Sequence, residues 1–213
     1  MNRHLFSIDE EAMWDRAEVI SLGGMDTKIL SPMDMLLHLC FHFTYHHGCA
    51  LGLKGLCDIA EVISSYPGRL NWEDVARYAH DYKIEPHLYA AVHLAEKVLG
   101  TEIPRWVMSS FAKSCSKAQI RWLENLTPKD FLKHLHCKKI TPLARLFWIN
   151  RFWDKRRFIF TVSLPAKETL ALGDSFPLSS KRIYTFYLVR SFHLLFKRLD
   201  IHSLQNLYRF LKN

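Results

Sequence analysis

The stretch Ser31-Pro32-Met33-Asp34-Met35-Leu36-Leu37-His38-Leu39-Cys40-Phe41-His42-Phe43-Thr44-Tyr45-His46-His47-Gly48 decides how the rest of the chain is read. Ser31 can cap a helix, because its hydroxyl can accept from a backbone N–H that has no helical partner. Pro32 suits the first turn, where an N–H is not needed. Asp34 complements the positive end of the helix dipole. Apolar residues then dominate up to a glycine, so the spacing predicts a helix from Pro32 to about His47 that stops before Gly48.

The same punctuation continues on both sides. Residues 17–30 hold short β-prone runs around Gly23-Gly24, which predicts a small hairpin. Downstream, a helix is expected over Leu53–Ser65. Asn71 caps another that carries Trp72, Val75, Ala76 and Ala79 on one face. Pro86 opens a helix closed by Gly100, and Pro104 opens one reaching about Leu126. Thr127-Pro128-x-Asp130 and Thr141-Pro142 each read as a cap plus a first turn. Residues 161–180, with Pro165, Gly173 and Pro177, read as a loop or short helix. A long helix over Lys181–Leu199 and a last one capped by Ser203 complete the pattern. The expected fold is mainly α, a multi-helix domain with a small N-terminal β-hairpin. Residues 1–126 are expected to hold the hairpin and an acidic helical region. Residues 127–213 are expected to form a basic helical region packed on it as one compact unit.

Charge supports that division. Residues 1–112 carry 9 Lys+Arg against 15 Asp+Glu, a net of −6, and residues 113–213 carry 20 against 6, a net of +14. A basic half can attract nucleic acid, anionic lipid or an acidic protein surface. The five cysteines are odd in number, scattered and without a C-x-x-C pair, as expected of free thiols in a reducing compartment. Neither a secretory signal nor an apolar run long enough to span a bilayer is seen, so the expected location is cytoplasmic.

Three constellations carry potential chemistry. His38, His42 and His46 lie four apart on one helical face, with Cys40 and His47 close by. Imidazoles at this spacing can chelate a transition metal. The segment has no H-E-x-x-H, and the expectation is that these histidines pack against and hydrogen-bond to neighbouring helices, with no metal ligand. Asp58, inside Leu56-Cys57-Asp58-Ile59-Ala60, is expected to find a basic or histidine partner, since an unpaired buried charge is costly. Trp148, Trp153, Phe147, Phe152 and Phe158 interleave with Arg145, Arg151, Lys155, Arg156 and Arg157. Aromatics among basic residues can stack bases and neutralise phosphates, yet at helical spacing they more often form a core stripe with a solvated basic face. Absent are the P-loop, the Gly-x-Ser-x-Gly elbow and an Asp-x-Asp pair that could hold magnesium for nucleotidyl transfer.

Taken in order, Leu30–His42, His46-His47, Leu56-Cys57-Asp58-Ile59-Ala60 and Asn71-Trp72 resemble the uncharacterised bacterial nucleotidyltransferase family with a helical C-terminal region. Leu164-Pro165-Ala166, Phe176-Pro177-Leu178 and Tyr187-Leu188-Val189-Arg190 resemble that family's closing segment. The resemblance implies a catalytic part carrying a Gly-Ser turn and an Asp-x-Asp strand, and this chain contains neither motif. It implies a helical module that positions substrate, with His38, His42, His46, Asp58 and Arg190 as its expected binding residues. No catalytic residue and no cofactor are expected of this chain; magnesium with a nucleoside triphosphate would enter only with a catalytic domain. The expected partner is such an N-terminal catalytic domain or a separate acidic protein. The alternative is a binding module for an anionic partner, nucleic acid or acidic protein, through the basic C-terminal half, with nucleic acid the weaker choice.

Overall fold

The computed structural model describes residues 6–49, 52–127 and 142–163. The chain divides into two compact units, Met1–Ile140 and Thr141–Asn213. Among the described residues the fold is mainly helical, with a two-stranded antiparallel hairpin near the N-terminus.

The first unit begins with α1 (Glu10–Asp15), capped by Asp9, whose carboxylate accepts from Ala12 N at 3.0 Å. Strands β1 (Glu18–Leu22) and β2 (Met25–Ile29) pair from Glu18↔Ile29 to Leu22↔Met25. The connection needs two successive left-handed residues, and Gly23 (φ 59°) and Gly24 (φ 81°) supply them at no steric cost.

Helix α2 (Pro32–Phe41) starts as the sequence predicts, with Ser31 Oγ accepting from Asp34 N. Its last turn differs. Residues His42–His46 form a π-turn, in which His47 N donates to His42 O at 3.1 Å. The wider turn ends in two left-handed residues, Gly48 (φ 50°) and Cys49 (φ 67°), the second an uncommon conformation for a side chain with a Cβ.

Helices α3 (Gly52–Ser65), α4 (Trp72–Asp81) and α5 (Glu85–Leu99) come next, α4 and α5 with the predicted end residues. Asn71 Oδ1 accepts from Glu73 N and Asp74 N, and Gly100 (φ 71°) closes α5. Val75 and Ala79 of the expected α4 face are fully buried. Helix α5 is central. It packs against α2, the π-turn, α3, α4 and the two helices that follow. It is therefore apolar nearly all round, with Leu88, Ala90, Ala91, Val92, Leu94 and Ala95 buried.

The single helix expected from Pro104 to Leu126 is instead two, α6 (Arg105–Ala112) and α7 (Lys117–Asn125). The break has a local cause. Ser116 Oγ accepts from Gln119 N while Gln119 Oε1 accepts from Ser116 N, a capping box that starts a new helix. The Ser-x-x-Gln signal was present in the sequence.

In the second unit, α8 (Pro142–Phe147) starts at the expected Thr141-Pro142, and α9 (Phe152–Ser163) runs through the aromatic and basic stretch. Residues 161–163, expected in a loop or short helix, continue α9. The start at Thr127-Pro128-x-Asp130, the helix over Lys181–Leu199, the last helix capped by Ser203 and the tail motifs lie outside the described residues.

Candidate functional site

Two polar clusters lie on the Pro32–His46 segment, one at each end. At the first, Asp34 is completely buried. Arg16 grips it bidentately, Nε to Oδ2 at 3.0 Å and Nη2 to Oδ1 at 2.7 Å. Ser31 Oγ donates to Oδ2 at 2.6 Å. Arg16 also reaches the hydroxyls of Tyr78 (3.3 Å) and Tyr82 (3.2 Å), and its guanidinium lies 4.4 Å from the centre of the Tyr78 ring. The hydrogen bonds that Arg16 donates to Asp34 hold it charged well above its ordinary range, against the opposing effect of its own burial. Thus Asp34 does more than complement a helix dipole: it ties the end of α1 to α2 and α4. Sequence reasoning missed this pairing, because nothing in the spacing of Arg16 and Asp34 announces it.

At the second cluster, imidazoles stack along the surface. The rings of His38 and His42 lie 5.6 Å apart, and those of His42 and His46 5.3 Å apart. His38 is exposed, and His42, His46 and His47 are half-buried. They share a face as predicted, with Leu36, Leu37, Cys40, Phe41 and Phe43 on the inward side. His46 sets its ring against Phe41 and Tyr45 and lowers the basicity of His87 on α5, while His38 at the other end of the row is exposed.

The π-turn adds a member that α-helical spacing would place elsewhere. Five residues in an α-helix turn through about 500°, which would set His47 roughly 140° away from His42. In a π-turn, residues five apart are hydrogen-bonded and stand one above the other. The two rings are accordingly 4.5 Å apart, with Nε2 to Nε2 at 2.8 Å, a hydrogen bond in which one ring donates to the other. Burial lowers the basicity of His42, and the charges of His38 and His47 lower it further. Among the described residues, no group of three or more His, Cys, Asp or Glu is arranged to hold a metal ion.

Behind the ladder lies a different histidine. His87 on α5 is buried in a box of Phe6, Phe41 and Tyr45, with ring centres 5.2–5.6 Å away. Its Nδ1 is 3.1 Å from Thr44 Oγ1. The Thr44 hydroxyl proton goes to Cys40 O at 2.8 Å, so His87 Nδ1 carries the proton and donates to Thr44. Burial pushes His87 down to about 3, with a smaller contribution from His46, so it is neutral at ordinary pH. His87 was not singled out in the sequence; only its place in an apolar helical run marks it.

Asp58 is exposed on α3, where the sequence suggested a buried acid, and it makes no ion pair among the described residues. The helical period turns Gly55, Leu56, Ile59 and Val62 inward and leaves Cys57 and Asp58 outside. Arg190 lies outside the described residues. The structure brings together His38, His42 and His46 and adds His47. The described cysteines, Cys40, Cys49, Cys57 and Cys115, are free thiols; burial pushes Cys49 up to about 12, so it is not a thiolate. No helix among the described residues is long and apolar enough to cross a membrane.

Neither a curated protein nor a solved structure matches the chain. A family model does, but it ends before α6 and so leaves out the tail motifs at 164–190. Both polar clusters fall inside the matched part: residues 2–100 match the family described as an uncharacterised nucleotidyltransferase, and over that stretch the chain is similar to this nucleotidyltransferase-like family.

Proposed function

We propose that residues 2–100 are a helical module that binds substrate or partner in a nucleotidyltransferase-like protein, and that this chain does not itself transfer nucleotide. One observation carries the reading. The matched region is a helical bundle whose buried acid is already committed, since Asp34 is neutralised by Arg16 and Ser31. Nucleotidyl transfer needs closely set carboxylates that can hold a metal against the triphosphate. The sequence has no Asp-x-Asp and no Gly-Ser. Glu18 and Asp74 are engaged by Arg69 and Arg77, and Glu85 by His80.

The surface offered for binding is the ladder of His38, His42, His46 and His47. Imidazoles present ring faces together with ring nitrogens that donate or accept hydrogen bonds, suited to orienting an acceptor group. The test incubates the chain with labelled nucleoside triphosphates, magnesium or manganese and candidate acceptors. No labelled product is expected. Labelling that persists through purification overturns the non-catalytic reading.

A further inference from the structure

Helix α9 presents large apolar side chains to the outside, where a solvated face is ordinarily polar. Phe152 is 66% exposed, Trp153 72%, Ile159 50% and Phe160 66%. At 3.6 residues per turn these four positions fall within an arc of about 120°. Phe158, which is 1% exposed, lies on the opposite side of the helix. The helix is thus held by one face and offers a second apolar face outward.

Basic residues frame that second face. Arg156 lies within the arc, its guanidinium 5.0 Å from the Trp153 ring centre and 5.9 Å from that of Phe152. Lys155 and Arg157 stand just beyond its two edges. Over residues 151–157 there are four basic residues and one acid, Asp154. We propose that this face of α9 docks in the plane of an anionic membrane surface, the aromatic and aliphatic side chains entering the headgroup–acyl boundary while Arg156 and Lys155 meet lipid phosphates.

Three features select this occupant. A helix with Trp and Phe on one arc and Lys and Arg at its borders is the form that lies in a bilayer interface. Interfacial Trp and long basic side chains each place an apolar part inward and a polar tip toward the headgroups. A second copy of the same face is disfavoured, because a two-fold contact would bring like charges together. Nucleic acid is disfavoured because single strands are bound in a basic groove lined with stacking rings, whereas this face is convex and includes Ile159, which has no ring to stack. The inference is independent of the binding role assigned to residues 2–100.

The test is co-sedimentation of the full chain with phosphatidylcholine vesicles, with and without phosphatidylglycerol, at low and physiological salt. Pelleting with the anionic vesicles and little with the neutral ones is expected. The double variant Phe152→Ser/Trp153→Ser alters only exposed positions. It should bind roughly tenfold more weakly or less, since each removed ring forfeits apolar burial. Far-UV circular dichroism checks that it folds, and Phe160→Ser on the same arc serves as a second probe should it not. Equal pelleting of wild type and folded variants overturns the proposal, as does no pelleting at low salt. Mixed-sequence DNA or RNA bound more tightly than vesicles, and lost in the same variants, overturns it in favour of nucleic acid. A dimer seen by size exclusion and abolished by the variants overturns it in favour of self-association.

Discussion

The two ends of the Pro32–His46 segment handle polar groups in opposite ways. At the N-terminal end a charge is buried outright, its carboxylate accepting from Arg16 and Ser31 while the Asp34 backbone N–H donates to Ser31 Oγ. At the C-terminal end the imidazoles lie at or near the surface with neighbouring rings 5.3–5.6 Å apart, and partial burial together with the charges of His38 and His47 lowers the basicity of His42. The first arrangement fixes the position of three elements. The second gathers four imidazoles at one partly exposed surface.

Breaking the buried end should have the largest effect, and an asymmetric one. Arg16→Ala leaves the fully buried Asp34 with Ser31 as its side-chain partner, and removing one member of a buried pair costs about 3–5 kcal/mol. Asp34→Asn should cost less, about 1–3 kcal/mol, because the Arg16 side chain is 26% exposed and keeps both tyrosine hydroxyls and water. Urea unfolding of the two variants measures the difference. Equal losses would show that burial of the carboxylate is not the controlling factor.

His87 supplies the intermediate effect. Its folded-state basicity is lowered from 6.5 to about 3, so the unfolded chain binds a proton that the folded chain refuses. The stabilisation is therefore fully present above about pH 6.5 and is lost as pH falls from there toward 3. His87→Gln, which keeps a donor for Thr44, should flatten the stability–pH curve across that window. Chemical denaturation at successive pH values checks this, and an unchanged slope would assign the acid sensitivity elsewhere.

His42→Ala tests the open end and should be the mildest. It removes the 2.8 Å contact to His47 and the stacking on His38 and His46, all at the surface. A change within about 0.5 kcal/mol is expected, as for most surface substitutions. A loss near that of Arg16→Ala would mean that the ladder holds the π-turn and is not free for binding.

Much of the helical organisation was legible because helix ends leave backbone groups that only certain residues satisfy. Ser31, Pro32, Asn71, Pro86 and Gly100 each mark an end that the fold uses. The hairpin was legible for a related reason: consecutive glycines permit the left-handed turn that two short strands need. The overlooked break at Ser116 was equally local, a capping box inside an apolar run.

The rest was decided by tertiary structure. Apolar neighbours in sequence do not reveal which side of a helix meets the core, so Asp58 was expected inside and lies outside. Arg16 and Asp34 meet because the hairpin returns the chain to α2, a long-range geometry that spacing does not encode. The π-turn shifted the helical phase and placed His47 over His42, a pairing that α-helical periodicity excludes. By itself the sequence determined where helices begin and end, through backbone hydrogen bonding that is local; which faces they bury and which polar groups they join depended on the packing of distant segments, and only the tertiary structure could settle it.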